Sequence, residues 1–255
     1  MNDDSTRHTT FDGRLFGTAT AIGGLGLIAY APALSIGSSP LKALTPLGAL
    51  LLFASFLGVR LSNEVGFGAP LIESVLTGEG VRPRTRSRIG RMVVLGVIVG
   101  ICLSTYELFV VRPIQMRVGV DVVADMVSLS LPVRFVGMPL YGGLTEEVFW
   151  RFGLLTFLAW LSTFVSRTED GHPTNGGIWA AIVLSAVGFA FIHLTPLFAA
   201  NAVTPLSVGV TLAGISVFGV LLGWCYWRYG LEASMTVHLV TNVVLVLVFT
   251  WRLGL

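Results

Sequence analysis

Charge is scarce in this chain: 12% of its 255 residues are charged against 54% hydrophobic, and the mean hydropathy is +0.81. Soluble domains carry about 25% charged residues, so a cytosolic enzyme and a disordered chain are both excluded. Cysteine is scarcer still. Cys102 and Cys225 each sit in an apolar run, which leaves no disulfide scaffold and no CxxC metal site. Lysine occurs once, at Lys42, beside fifteen arginines, and a net charge of +2 is too small to point to a nucleic-acid partner. Internal repeats and the HExxH pattern of soluble zinc proteases are missing as well.

What the chain has in abundance is long apolar runs. A helix needs about 20 apolar residues to cross the hydrocarbon core. Spans are therefore expected near 15–36, 44–62, 89–111, 178–200, 204–228 and 232–250. In the first of them, the small-residue site Ala29-Tyr30-Ala31 is followed by Pro32, which should resist signal-peptide cleavage, so the span is read as retained. The stretch 127–165 is too long for one crossing and tight for two, with its break expected at Gly142-Gly143. The fold class is then an all-α polytopic transmembrane bundle of seven or eight spans. Residues 64–79 are amphipathic and are expected to lie against the membrane or pack inside it.

Three regions follow: a polar cytoplasmic tail at 1–14, N-terminal transmembrane helices at 15–125 with a basic loop at 82–91, and a core at 126–255. The loop holds Arg82, Arg84, Arg86, Arg88 and Arg91, which places it in the cytoplasm and, two spans back, the N-terminus too. Arg7 and Arg14 agree. The same arginines would also suit anionic lipid headgroups.

An ionisable side chain at the bilayer centre costs about 2.5–3.5 kcal/mol on insertion scales, so each one needs a reason. Glu146-Glu147-Val-Phe-Trp-Arg151 places Glu147 and Arg151 four apart on one helix face, where they can pair. Adjacent residues point about 100° apart, which leaves Glu146 free to face a cavity. Phe189-Ala-Phe-Ile-His193 ends one apolar helix, and His238-Leu-Val-Thr-Asn242 lies in the last. Each alone is equally a structural device, a charged helix start or interhelical hydrogen-bonding groups. Together they could hold and activate water. A buried Glu suits a general base, and His and Asn can donate to an oxyanion. Glu146, His193 and His238 would also make a zinc ligand set with a fourth position for water.

The order EExxxR, FxxxH, HxxxN on successive apolar segments resembles the CAAX protease and bacteriocin-processing enzyme family, related to the type II CAAX prenyl endopeptidase. The resemblance covers about residues 130–250, and Leu222-Gly-Trp-Cys-Tyr-Trp-Arg228 resembles the family's penultimate helix. It implies an intramembrane endopeptidase, of glutamic or metallo type, acting on a peptide or membrane-protein substrate. Glu146 and His193 would then activate water, His238 and Asn242 would form the oxyanion hole, and Glu147 and Arg151 would brace the site. No cofactor is favoured and zinc is the alternative; Asn242, a better donor than ligand, favours the metal-free form. Eukaryotic relatives trim prenylated C-termini, whereas prokaryotic ones are linked to bacteriocin maturation or immunity. The arginine bias points to a prokaryotic plasma membrane. The rival readings are a non-catalytic immunity or partner-binding protein of the same fold, and a transporter.

Two expectations concern geometry. His193 is late in its helix and His238 early in the helix two spans on, so unequal helix depths or a tilted helix must bring them together. Glu107 and Arg134 are expected to snorkel to an interface, and His8 and His172 to be solvated.

Overall fold

The computed structural model describes residues 11–35, 39–79 and 83–254. Arg7, His8 and Arg82 lie outside them. Among the described residues ten helices follow one another: α1 (Gly13–Leu34), α2 (Pro40–Val65), α3 (Pro70–Leu76), α4 (Pro83–Tyr106), α5 (Val122–Ser128), α6 (Val133–Ser162), α7 (Asn175–Ile192), α8 (Thr195–Ala199), α9 (Pro205–Tyr229) and α10 (Leu231–Arg252). Helix α4 runs on through a π-helical turn, Glu107–Val111, and a last α-helical turn, Arg112–Met116. Among the described residues there is no strand, only an isolated bridge between Arg167 and Pro173.

Six helices are long and apolar enough to cross a membrane, and α6, taken with α5 as one broken span, makes seven. That is the lower of the two counts expected; no eighth is found among the described residues. The helix starts follow local chemistry. Asp12 accepts from the N–H of Arg14 and of Leu15, Thr174 caps α7, and Thr204 with Ser207 forms a capping box ahead of Pro205.

The break expected at Gly142-Gly143 lies elsewhere. The chain turns by 117° between Ser128 and Val133, just before α6. Leu129 is extended there, and the helix restarts at Leu131 with Pro132 in its first turn, where the missing N–H needs no partner. Helix α6 then passes through Gly142 and Gly143 without interruption, in π-helical turns at Val133–Gly137, Tyr141–Glu146 and Val148–Leu155. The glycines serve packing instead. A Cβ on Gly143 would meet the backbone of Leu239, so α6 and α10 touch main chain to main chain.

Small residues set the other contacts, as expected where lipid offers apolar side chains no contrast. Gly96 and Gly100 of α4 lie on Val240 and Val244 of α10, which makes those helices run parallel. Gly219 and Gly223 of α9 meet Ala186 and Ile182 of α7 in antiparallel order. Helix α1 packs antiparallel on α6, with Gly26 against Leu140 and Thr145 donating to the Gly23 carbonyl at 2.6 Å.

The segment 64–79 packs one face against the bundle and leaves Pro70, Val75 and residues 77–79 exposed. Phe67, Ala69 and Ile72 are buried, and the N–H of Ile72 donates at 2.6 Å to Glu232 in the first turn of α10. Leu231 N–H donates to the Gly68 carbonyl at 3.0 Å. Helix α10 therefore starts on top of α3 rather than level with the start of α7. Replacing Glu232 with Ala should strand the Ile72 N–H and cost about 1–3 kcal/mol. The expected readouts are a lower Tm in detergent and faster hydrogen exchange over 69–76.

Candidate active site

Unequal helix depth brings the two histidines to one place. Phe189 lies about 21 Å along α7, at 1.5 Å per residue, and His238 only about 10 Å along α10. Their rings nevertheless meet, with centroids 5.9 Å apart. The raised start of α10 on α3 supplies the difference. Phe189 also touches the ring of His193 at 4.7 Å, so one aromatic side chain spans both.

Glu146, His193, His238 and Asn242 all line a single cavity of about 620 Å³. His238 stands between the paired glutamates: its Nδ1 is 2.7 Å from Glu147 Oε1 and its Nε2 3.7 Å from Glu146 Oε2. Glu147 is fully buried behind it and pairs with Arg151 at 3.2 Å. Arg151 is held further by the Gly219 carbonyl at 3.3 Å and by the face of Phe189, 4.6 Å from its ring centroid. Glu146 carries no such partner, and its side chain is 12% exposed toward the cavity. The division of labour expected from helix geometry is what the side chains adopt, with His238 added to the partners of Glu147.

The acceptors fix which ring nitrogens carry protons. His193 Nδ1 lies 2.8 Å from the Phe189 carbonyl, which can only accept, so Nδ1–H donates and Nε2 keeps its lone pair. An ionised Glu147 likewise accepts from His238 Nδ1–H, and Nε2 offers a proton when the ring carries two. Asn242 lies one turn beyond His238 on the same face. Gly142 makes room for both: a Cβ there would run into Asn242 Nδ2 and come within 3.0 Å of His238 Nε2. Phe218 closes the far side of His238 edge-on at 5.1 Å.

Among the described residues no group of three or more His, Cys, Asp or Glu side chains is placed to hold a metal ion. Glu146, His193 and His238 share the cavity, but as they stand they do not fit zinc as a ligand set.

Sequence reasoning misses Tyr30 and Tyr141 as site residues; they stack at 5.1 Å on the cavity wall beside Glu146. Nor does it assign roles to Phe189 and Phe218. For Phe189 a signal existed, its position four residues before His193. Two intramembrane charges fall elsewhere than expected. Glu107 lines the cavity rather than reaching an interface. Arg134 is buried and donates to the Val127 carbonyl, capping the end of α5. His172 is exposed, with Nδ1 2.9 Å from the Glu64 carbonyl.

Residues 128–244 match a family model described as "Rce1-like: Type II CAAX prenyl endopeptidase Rce1-like". Through this segment, which is less than half of the chain, the protein is similar to the CAAX protease family. The match takes in Glu146, His193, His238 and Asn242 and the Glu147–Arg151 pair behind them. Searches of curated proteins and of solved structures return no match. The similarity supports a CAAX-type intramembrane protease in general, and the long apolar helices support an integral, multi-pass membrane protein.

Proposed function

We propose that this protein is a CAAX-type endopeptidase that cleaves a peptide or membrane-protein substrate with a water molecule activated by Glu146 and His193. The water donates one hydrogen bond to the Glu146 carboxylate and one to His193 Nε2. Glu146 takes the proton as the new C–O bond forms, and the carbonyl electrons move to oxygen. Asn242 Nδ2–H and His238 Nε2–H donate to that oxyanion. Glu146 then returns the proton to the amide nitrogen as the C–N bond breaks. The observation that carries this reading is the placement of His238 between Glu147, whose Oε1 is held by Arg151 and by His238 itself, and a cavity-facing Glu146 with no close partner. Terminal-peptide proteomics on membranes holding wild type or Glu146→Ala at matched levels tests it. New termini that vanish in the variant identify both activity and substrate, and identical profiles overturn it.

The orientation we propose puts the arginine-rich end in the cytoplasm. That end gathers Arg14, Arg60, the first turns of α4, Arg167 and Arg228, against Lys42, Arg112, Arg117 and Arg252 at the other. The cavity is lined by the opposite halves of the helices, including Ala33, Asp125 and Pro196, and so opens away from the cytoplasm. A β-lactamase fused after α10 in a bacterial host should then protect cells from ampicillin, and one inserted near Asp170 should not. The reverse pattern would turn the cavity to the cytoplasm.

A further inference from the structure

The cavity wall opposite the histidines is built by the tail of α4, where Leu103, Glu107, Val111 and Gln115 follow at intervals of four through the π-helical turn Glu107–Val111. Such turns recur at functional sites. Three carboxylates line the cavity: Asp125, exposed on α5 toward the open end, half-buried Glu107 on the wall, and Glu146. No lysine or arginine lines it. The arginines around it are committed elsewhere. Arg112 grips Asp121 through two hydrogen bonds of 2.9 and 2.7 Å, Arg134 caps α5, and Arg151 is held by Glu147 and the Gly219 carbonyl.

Glu147 has Arg151 and His238, and Glu232 has the Ile72 N–H, but Glu107 has no hydrogen bond or ion pair within the described residues. A carboxylate inside a span is costly to insert and is ordinarily matched by a partner. The described residues supply none here, and the side chain faces the cavity, open to a partner from outside the chain.

We propose that Glu107 receives a lysine or arginine side chain of the substrate and so selects peptide bonds near a basic residue. This rests on the cavity's being the proteolytic site.

The test uses the full chain in nanodiscs, carrying Glu146→Ala to prevent turnover, and two apolar peptide pools with randomised flanks, one with fixed lysine and one with fixed norleucine. The lysine pool should be retained about tenfold better, the scale of one charge-assisted hydrogen bond. Glu107→Gln should equalise the pools, and Glu107→Lys should favour a third pool with fixed glutamate. Equal retention by the Glu146→Ala protein, no retention of either pool, or a lysine preference that survives Glu107→Gln would overturn the proposal. Cleavage is scored separately with Glu146 intact. A lysine preference that depends on Glu107, without any cleavage, would leave the cation site standing and remove the proteolytic reading.

Discussion

Glu146→Gln is expected to lower kcat by about 10²–10⁴-fold while leaving KM and Tm near their wild-type values. Glutamine keeps the size and the hydrogen-bonding reach of the side chain but cannot take the proton of the attacking water. The structure explains why stability should survive. Glu146 stands 3.7 Å from His238 Nε2, beyond hydrogen-bond distance, and it faces the cavity rather than the packed interior. His193 would still accept one hydrogen bond from the water, since its Nδ1 stays on the Phe189 carbonyl. Orientation without a base should account for the residual rate. The check is steady-state cleavage of a substrate found by terminal proteomics, with Tm measured in the same detergent. Wild-type turnover in Glu146→Gln would remove Glu146 from the base role and leave its place in the cavity to substrate binding.

Much of this arrangement is legible in the residues themselves. The apolar runs locate the six unbroken spans to within a few residues, though not α6, because insertion into hydrocarbon leaves no other reading for about 20 apolar residues. The spacing of Glu147 and Arg151 gives their pairing, because four residues on a helix is a contact distance. Gly142-Gly143 is misread for the opposite reason. Local propensity makes a glycine pair a break, and only the approach of Leu239, Asn242 and His238 from 100 residues away reveals that both glycines clear space for α10. Pro132 and Pro139 look alike in the sequence, yet only Pro132 accompanies a sharp bend, while π-helical turns carry the chain past Pro139. The depth of His238 depends on α3 lying beneath α10, a contact fixed by Glu232 and Ile72, which stand 160 residues apart. Glu107 could have been found, because its i±4 neighbours Leu103 and Val111 share its face; what that face meets is a tertiary fact.

The pair behind the site should respond differently from Glu146. Glu147→Ala leaves the Arg151 guanidinium, 2% exposed, without its carboxylate, and breaking one side of a buried pair costs about 3–5 kcal/mol. It also removes the acceptor that fixes His238 Nδ1, so activity should fall even in protein that remains folded. A single variant therefore confounds folding with chemistry, and a double variant separates them. Glu147→Leu with Arg151→Met replaces both charges by apolar groups of similar length, and Met at 151 can still pack on Phe189 in place of the guanidinium. Removing both partners of a buried pair is often neutral for stability. Tm of the double variant should thus recover most of what Glu147→Ala loses, while turnover stays low because His238 has no carboxylate to orient it. Turnover that returned together with Tm would make Glu147 a stability element alone, and His238 would then need no orienting partner for its work at the cavity.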